Sequence, residues 1–221
     1  MLKKILIIGF GLGIIMSGFS QKPKKGEKVK LPEPKYSSKI SVEEALKNRR
    51  SVRSYKNEPL TLEEVSQLLW ACQGKTAKWG GRTAPSAGAT YPLDTYLVVG
   101  NVTGLASGVY KYEPDDHSIE MIKEKDVRND LAGAAWGQAF IAKAPITIVL
   151  TCIYRRTTGR YGERGVRYVH MEAGHCGQNV HLQCETMGLG TVMVGAFSDE
   201  RVKEILGIKA EPLYIIPIGK K

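Results

Sequence analysis

Three arginines and a serine stand within five residues, at Arg49, Arg50, Ser51 and Arg53. A guanidinium is a rigid fork of donors that binds phosphate oxygens in pairs, and a serine hydroxyl can add a neutral hydrogen bond. The arginines follow a short amphipathic segment and precede the turn indicated by Pro59, so a helix exit could direct successive side chains at one ligand. The segment is therefore a candidate anion site. A solvated basic loop is the alternative that these residues alone leave open.

Three other segments combine small residues, glycines and prolines in a definite order along the chain. Residues 84–93 precede an apolar run, residues 174–197 follow later, and residues 216–221 end the sequence. Together with the arginine segment, these stretches resemble the nitroreductase family. Residues 84–93 are similar to the branch of that family that includes the azoline-forming dehydrogenases of modified-peptide pathways. The resemblance extends from about residue 41 to the C-terminus.

The resemblance implies an α+β fold in which helices flank a central, mainly antiparallel sheet and a long buried helix lies at the interface of a homodimer. It implies FMN as a tightly held, non-covalent cofactor and NADH or NADPH as the reductant. The implied acceptor is an electron-poor small molecule, such as a nitro compound or a quinone. Because the flavin carries the chemistry, no catalytic side chain is expected, and the protein has to bind, orient and tune the cofactor.

By the same resemblance, each residue of the arginine segment has a part in holding FMN. Arg49 would reach the phosphate, and Arg50 and Ser51 would hold the phosphate and the ribityl chain. Arg53 would face the pyrimidine edge of the ring, where positive charge stabilises the reduced flavin.

The other segments supply the remaining implied contacts. The residues that would line the ring and the ribityl chain are Pro85, Ser86, Ala87 and Gly88. The backbone groups that would approach flavin N5 are those of Val194, Gly195 and Ala196. The residues that would close on the phosphate are Lys220 or Lys221. The residues that would lie on the substrate side of the ring are Trp136 and Gln138.

The positive charge of the chain is concentrated near its N-terminus. Residues 1–40 contain nine lysines and two glutamates, and so carry +7 of the formal net charge of +10. A nucleic-acid-binding protein presents its basic residues on a folded surface, so no nucleic-acid partner is expected. The four cysteines, Cys72, Cys152, Cys176 and Cys184, form no Cys-x-x-Cys pair and lie in apolar surroundings, which predicts small core residues.

Residues 1–20 have the pattern of a secretory signal peptide or a membrane anchor. Two lysines precede an apolar stretch over residues 5–16, and small residues follow before Gln21. The sequence therefore predicts an exported protein, or one tethered to the membrane through this segment if it is not cleaved. A dinucleotide-binding strand and glycine turn over residues 5–13 is disfavoured, because Ile14 stands where that motif needs glycine or alanine.

The rest of the chain divides into a tether and one domain. Residues 21–40 are rich in lysine and proline and are predicted to be extended or disordered. The FMN-binding domain is predicted to span residues 41–221, with capping boxes that start helices at Ser41 and Thr61. Residues 145–151 are continuously apolar, which is typical of a central strand.

Residues 164–187 predict one long helix with apolar residues on every face. A helix of that kind is buried all round, and a single domain of this size could not easily cover it. The pattern therefore predicts an intertwined homodimer. Residues 190–196 and 213–218 predict the last two strands.

Three histidines, His170, His175 and His181, lie on this predicted helix. Their spacing matches neither a zinc motif nor a complete di-iron site, so no metal is expected, and we interpret them as satisfied core or interface residues. Trp70 and Trp79 are likewise predicted to be core residues.

The sequence thus favours an FMN-dependent oxidoreductase, with alternatives. One is a non-catalytic flavin-storing or electron-relay protein on the same fold, and another is a dehydrogenase of a peptide azoline. A third is a basic module that acts on membranes or nucleic acid through the lysine-rich tether. The arginines of residues 155–167 could receive the phosphates of NADH or NADPH, or could form a mobile basic loop.

Overall fold

The computed structural model describes residues 23–221 and contains one seven-stranded sheet. Its strands are β1 (Lys28–Lys30), β2 (Leu93–Val99), β3 (Gly108–Glu113), β4 (Ser118–Lys123), β5 (Ile146–Cys152), β6 (Leu189–Thr191) and β7 (Glu211–Lys220). They lie in the order β1-β4-β3-β2-β5-β7-β6. Each neighbouring pair is antiparallel. The predicted α+β fold with a mainly antiparallel sheet is confirmed.

Seven α-helices accompany the sheet within residues 23–221. They are α1 (Val42–Asn48), α2 (Leu62–Gln73), α3 (Arg128–Ala134), α4 (Ala139–Lys143), α5 (Arg155–Tyr161), α6 (Arg164–Thr186) and α7 (Asp199–Leu206). A short 3-10 turn spans Ala87–Ala89. The cap at Thr61 is confirmed in full, since its hydroxyl accepts from the Glu64 amide and the Glu64 carboxylate accepts from the Thr61 amide. At Ser41 the hydroxyl makes the first of these two bonds.

The core lies on both faces of the sheet because successive strand residues point to opposite sides. Leu97 and Ile148 belong to a cluster that packs against α2 and α6, whereas Val98 and Val149 face α3, α4 and α7. All seven residues of β5 are buried between β2 and β7, so the predicted central strand is confirmed. The four cysteines are free and buried, as expected for core residues.

The prediction that folded structure begins at Ser41 is wrong. Strand β1 lies within the predicted tether and pairs with β4 at one edge of the sheet, and Leu31 is buried in the core. Further along, the Gln67 side chain hydrogen-bonds the backbone nitrogen and oxygen of Lys35. Lysines are common on edge strands because they discourage pairing with another chain. The composition that indicated a tether therefore also suits an edge strand.

Helix α6 is not buried on all sides within one chain. Its buried positions recur every three or four residues, while Val166 and Met171 on the other side are exposed. Within a single chain one side of the helix is therefore uncovered, and its predicted burial against a second copy of the chain stays a prediction. Strand β6 is also shorter than predicted: it ends at Thr191, and after a single pairing of Val194 with Ile215 the chain leaves the sheet.

The predicted leader, residues 1–20, and the alternative dinucleotide motif lie outside the described residues. Within residues 23–221, no helix combines the length and the apolar character needed to cross a bilayer.

Candidate functional site

The arginine segment runs from the end of α1 along the edge of the sheet formed by β6. The Val52 amide donates to the Thr191 carbonyl over 2.9 Å, and Ser51 lies beside Thr191 as in a parallel pair. Gly190 permits this approach, because a Cβ there would come within 2.6 Å of Val52 Cγ1. The sheet edge therefore positions the backbone between Arg49 and Arg53.

The three arginines of this segment point to different surroundings. Arg50 folds back on the end of α1, where its guanidinium donates to the carbonyls of Lys47 and Arg49. It therefore caps a helix in this structure, and the predicted contact of Arg50 with a phosphate stays a prediction. Arg53 lies over the ring of Phe140 in α4, with 5.9 Å from Cζ to the ring centroid. Arg49 is half-buried at the C-terminal end of α1, which packs on α6.

The two C-terminal lysines lie at the same end of the sheet edge. Lys221 Nζ is 2.6 Å from Glu185 Oε2 of α6, and Lys220 pairs with Glu64 of α2. The Lys220 carbonyl accepts from the Lys56 amide, just after the arginine segment. Both lysines predicted to contact a phosphate are thus held in place by carboxylates.

His181 of α6 lies within electrostatic range of Arg49 and Lys221. The residue is 5% exposed, and its Nδ1 has no hydrogen-bond partner within the described part of the chain. Burial lowers the pKa of the imidazole, and the charges of Arg49 and Lys221 lower it further, while Glu185 acts in the opposite direction. The interpretation of the helix histidines as satisfied residues is therefore wrong for His181. His170 and His175 are exposed and contact Tyr154 Oη and the Pro85 carbonyl.

At the other end of the arginine segment, α4 gathers three predicted site residues. Gln138 immediately precedes α4 and donates from Nε2 to the carbonyls of Ala135 and Ala196 over 2.9 and 3.2 Å. Arg53 reaches the same helix at Phe140. Gly195 and Ala196 are exposed here because the chain has left the sheet. The structure therefore brings Arg53, Gln138 and Ala196 to one place.

Trp136 precedes this helix and is 70% exposed. Its backbone has a φ of +58°, and Gly137 follows at +78°. A bulky residue rarely adopts a positive φ, and such strain is concentrated at functional sites. Trp79 is also exposed, and Trp70 is half-buried against the ring of Tyr36. The prediction that the tryptophans are core residues is thus wrong for Trp79.

The predicted ring-lining residues Pro85, Ser86, Ala87 and Gly88 belong to a wound loop, residues 85–91, which contacts α6 at His175. Gly88, Ala89 and Tyr91 all have positive φ, at +58°, +52° and +43°. Ser86 Oγ accepts from the Tyr91 amide and closes the loop. Arg160 of α5 donates to the Gly88 carbonyl over 3.1 Å, so this member of the arginine-rich segment of residues 155–167 is engaged within its own chain.

A buried polar cluster beneath this loop has no counterpart in the sequence prediction. Arg82 donates to Gln73 Oε1, and Gln73 donates from Nε2 to Cys176 Sγ. Beside them Glu172 is 2% exposed, and its Oε1 has no partner within the described residues. Burial raises the pKa of this carboxyl, while Ser86, Gln73 and the charge of Arg82 act in the opposite direction.

The two groups of predicted cofactor residues contact α6 far apart. The wound loop touches the helix at His175, through the Pro85 carbonyl, and Lys221 touches it at Glu185. Ten residues of helix separate these contacts, which corresponds to roughly 15 Å of rise. A single chain therefore presents a basic edge and a separate strained loop.

This combination defines a class of protein: an α+β domain with helices on both faces of an antiparallel sheet and an arginine segment along one edge. The model of the Nitroreductase family matches residues 46–220. The chain belongs to the nitroreductase family.

Similar proteins agree with this membership. The Methanocaldococcus jannaschii protein MJ1384, which bears a nitroreductase name, is 53% identical over 182 residues, covering 82% of this chain and 92% of that one. A crystal structure from Ralstonia eutropha, also named as a nitroreductase, has a TM-score of 0.77 at 28% identity and covers 92% of this chain and 91% of that one. The microcin B17-processing protein McbC of Escherichia coli is 25% identical over 132 residues, which are 58% of this chain and 48% of McbC.

Proposed function

We propose that this protein is an FMN-dependent oxidoreductase that passes electrons from NADH or NADPH to an electron-poor small molecule, such as a nitro compound or a quinone. The observation that carries the proposal is the arrangement along the sheet edge. Arg49, His181 and Lys221 lie at one end, and Arg53, Gln138 and Ala196 lie at the other. A phosphate and a flavin ring need environments that differ in this way.

The end that contains Arg49, His181 and Lys221, called the phosphate end below, is rich in cations that the chain already holds in position. Lys221 is paired with Glu185, and Arg49 lies close enough for its charge to act on His181. The unpartnered Nδ1 of His181 is buried in the same place, and a buried polar atom without a partner costs about 1–3 kcal/mol. A phosphate monoester would offset the mutual repulsion of these cations, so the residues fit this part of FMN.

The end that contains Arg53, Gln138 and Ala196, called the ring end below, combines one fixed charge with accessible backbone. Arg53 would supply positive charge where the pyrimidine edge of the ring becomes more negative on reduction. The exposed backbone of Gly195 and Ala196 would lie against the ring, and Gln138 holds Ala196 in place. When bound, FMN would supply the electron transfer, and the protein would orient it and exclude competing reactions.

We further propose a homodimer with the cofactor at the subunit boundary. Met171 on α6 is 51% exposed, and Val42 and Leu46 on the neighbouring α1 are exposed as well. Apolar side chains on two packed helices suit an obligate interface. A second subunit on this side could bring its strained loop of residues 85–91 to the basic edge of the first.

A visible absorption spectrum and a turnover assay test the proposal. We expect the purified protein to carry FMN, released on denaturation, and to oxidise NADH or NADPH when menadione or a nitroaromatic compound is added. The variant Arg50→Ala serves as a control for the loss of an arginine from the same segment, because the Arg50 side chain caps α1. A protein that binds no flavin under these conditions would contradict the proposal, and FMN binding without turnover would favour a flavin-storing or electron-relay role.

A second candidate is the dehydrogenation of a peptide azoline to the aromatic azole. The similarity to McbC, which is named as a microcin B17-processing protein, favours it. The two functions differ in the direction of electron flow relative to the substrate. Incubating the flavin-loaded protein with an azoline-containing peptide and molecular oxygen should give a mass loss of two hydrogens only if this candidate is right.

We also propose that residues 1–20 direct export or tether the protein to a membrane. The motivation is the run of two lysines, an apolar stretch and small residues. N-terminal sequencing of protein from its native cells should find a start near Gln21, or the intact chain in the membrane fraction. An intact chain in the soluble cytoplasmic fraction would overturn this proposal without affecting the flavin site.

A further inference from the structure

The phosphate end contains an unusual group for a site lined by cations, namely a buried imidazole whose Nδ1 has no hydrogen-bond partner within the described residues. His181 lies one helical turn before Glu185 on the same face of α6, and Glu185 holds Lys221 at 2.6 Å. Helix α1 packs on α6, and Arg49 follows its last residue. Three basic side chains from separate parts of the sequence, Arg49, His181 and Lys221, therefore lie within electrostatic range of one another.

Burial and the charges around the imidazole together lower its pKa. Arg49 and Lys221 disfavour a third positive charge, Glu185 favours it, and burial disfavours it most. Nδ1 also lacks an acceptor within residues 23–221, so no hydrogen bond from that part of the chain would stabilise a proton on that atom. A dianion placed among these groups would reverse the balance, because an opposite charge within about 4–6 Å raises the pKa of a histidine.

We propose that His181 is a third cationic group of the phosphate end, and that it takes up a proton from solvent when a phosphate monoester binds beside Arg49 and Lys221. The proposal rests on the proposed function, since FMN is the phosphate monoester in question. It adds a residue to the site and makes phosphate binding dependent on pH. Only a proton moves, from solvent to the imidazole.

Nuclear magnetic resonance of the histidine side chains tests this directly, because the chain has only four histidines. The variant His181→Gln identifies the signal by its loss. In the free protein we expect His181 to titrate below the ordinary range, and FMN should raise its midpoint by about one pH unit or more. Riboflavin, which lacks the phosphate, should leave the midpoint unchanged.

Affinity measurements provide an independent readout. At pH 6.5 the His181→Gln variant should bind FMN more weakly than the wild type, and the difference should approach about tenfold at lower pH, because a one-unit rise in the His181 midpoint contributes at most a tenfold gain in affinity. At pH 9 the two proteins should converge, since the wild-type imidazole is then neutral. A merely structural role would lower the affinity equally at both pH values and for riboflavin as well.

The outcomes separate this inference from the proposed function. If wild-type protein binds no FMN, the proposed function fails. If FMN binds but the His181 midpoint stays where it was, or if riboflavin raises it equally, the function stands and this inference is wrong. If His181→Gln does not fold, the signal can be assigned in the wild type by elimination, through single substitutions of His117, His170 and His175.

Discussion

The arginine segment and the wound loop of residues 85–91 were both predicted to hold the same cofactor, yet they are built in opposite ways. The arginine segment is extended, follows the sheet edge and presents cations. The wound loop contains three residues with positive φ and lies on α5 and α6 above a buried carboxyl. The arginine segment offers charged side chains on a backbone without positive φ, and the wound loop offers a strained backbone whose own residues carry no charge.

The difference indicates which part of a ligand each region suits. Guanidinium and ammonium groups suit a phosphate, whereas closely packed backbone and small side chains suit a flat ring. The separation of roughly 15 Å along α6 means that the two regions of one subunit are not adjacent. We therefore expect changes in the two regions to have different signatures in FMN and riboflavin binding.

The largest expected effect comes from breaking the proposed contact between subunits. Met171→Glu would place a carboxylate on the exposed apolar side of α6, where burial without a partner is strongly unfavourable. We expect the variant to sediment as a monomer and to bind FMN at least about a hundredfold more weakly, equivalent to roughly 2.7 kcal/mol.

Trp79→Glu is the matched control, since Trp79 is also exposed but lies in a separate loop. It should leave both sedimentation and FMN binding unchanged. A monomeric Met171→Glu protein that still holds FMN would show that one chain completes the site by itself. The arginine segment and the wound loop would then not need to come from different subunits.

The next effect concerns the basic region alone. Arg49→Ala should weaken FMN binding by roughly one to two orders of magnitude, because charge-assisted hydrogen bonds contribute about 1.5–3 kcal/mol. Riboflavin binding should hardly change. Arg50→Ala should weaken FMN binding by less than about threefold, since the Arg50 guanidinium donates to the Lys47 and Arg49 carbonyls and is not directed at the phosphate. Equal losses for Arg49→Ala and Arg50→Ala would contradict the distinction between the two side chains.

A smaller effect is expected in the wound loop, and it should affect FMN and riboflavin alike. Gly88 has a φ of +58°, and a Cβ there would come within 2.4 Å of Tyr161 Oη and 2.8 Å of Arg160 Nη1. Gly88→Ala should therefore shift the loop and weaken both ligands by about tenfold, as about 1–2 kcal/mol of strain implies.

The matched control is Gly159→Ala in α5, where a Cβ would meet nothing within 4 Å. Titration of apo-protein with both ligands measures the two variants. If Gly88→Ala weakens FMN binding but leaves riboflavin binding unchanged, the loop contacts the phosphate, and the proposed assignment of the loop to the ring is wrong.

The smallest effect is on stability and tests the carboxyl beneath the loop. Burial raises the pKa of Glu172 in the folded protein, so the folded state binds more protons than the unfolded state between the ordinary and the raised pKa. Stability should then fall as the pH rises through that window. Glu172→Gln removes the charge and should raise the free energy of unfolding at pH 8 by about 1 kcal/mol.

Denaturant unfolding at pH 5 and pH 8 measures this effect. The exposed Glu204→Gln serves as the control and should not change the pH dependence. If Glu172→Gln is instead less stable at pH 8, the Glu172 carboxylate is charged in the folded protein, and an ion pair with Arg82 stabilises the loop.

Local patterns were sufficient for much of the fold. The cap at Thr61, the apolar run of β5 and the core cysteines depend on neighbouring residues and on hydrophobicity, so they were predicted correctly. Strand β1 was missed because its lysines suit a solvated tether and an edge strand equally well. The position of the long helix was predicted correctly. Which of its sides is exposed depends on α2 and the sheet, which cover the opposite side.

The candidate site divides in the same way. The sequence by itself determined the family, the arginine segment and the order of the motifs, since these depend on residue type and spacing along the chain. Only the tertiary structure decided that Arg50 caps a helix, that Arg49 and Lys221 act on His181, and that Glu172 lies buried beside Gln73. The physical reason is that burial and electrostatic interactions depend on distance in space, and the partners of His181 and Glu172 come from elements far apart in sequence.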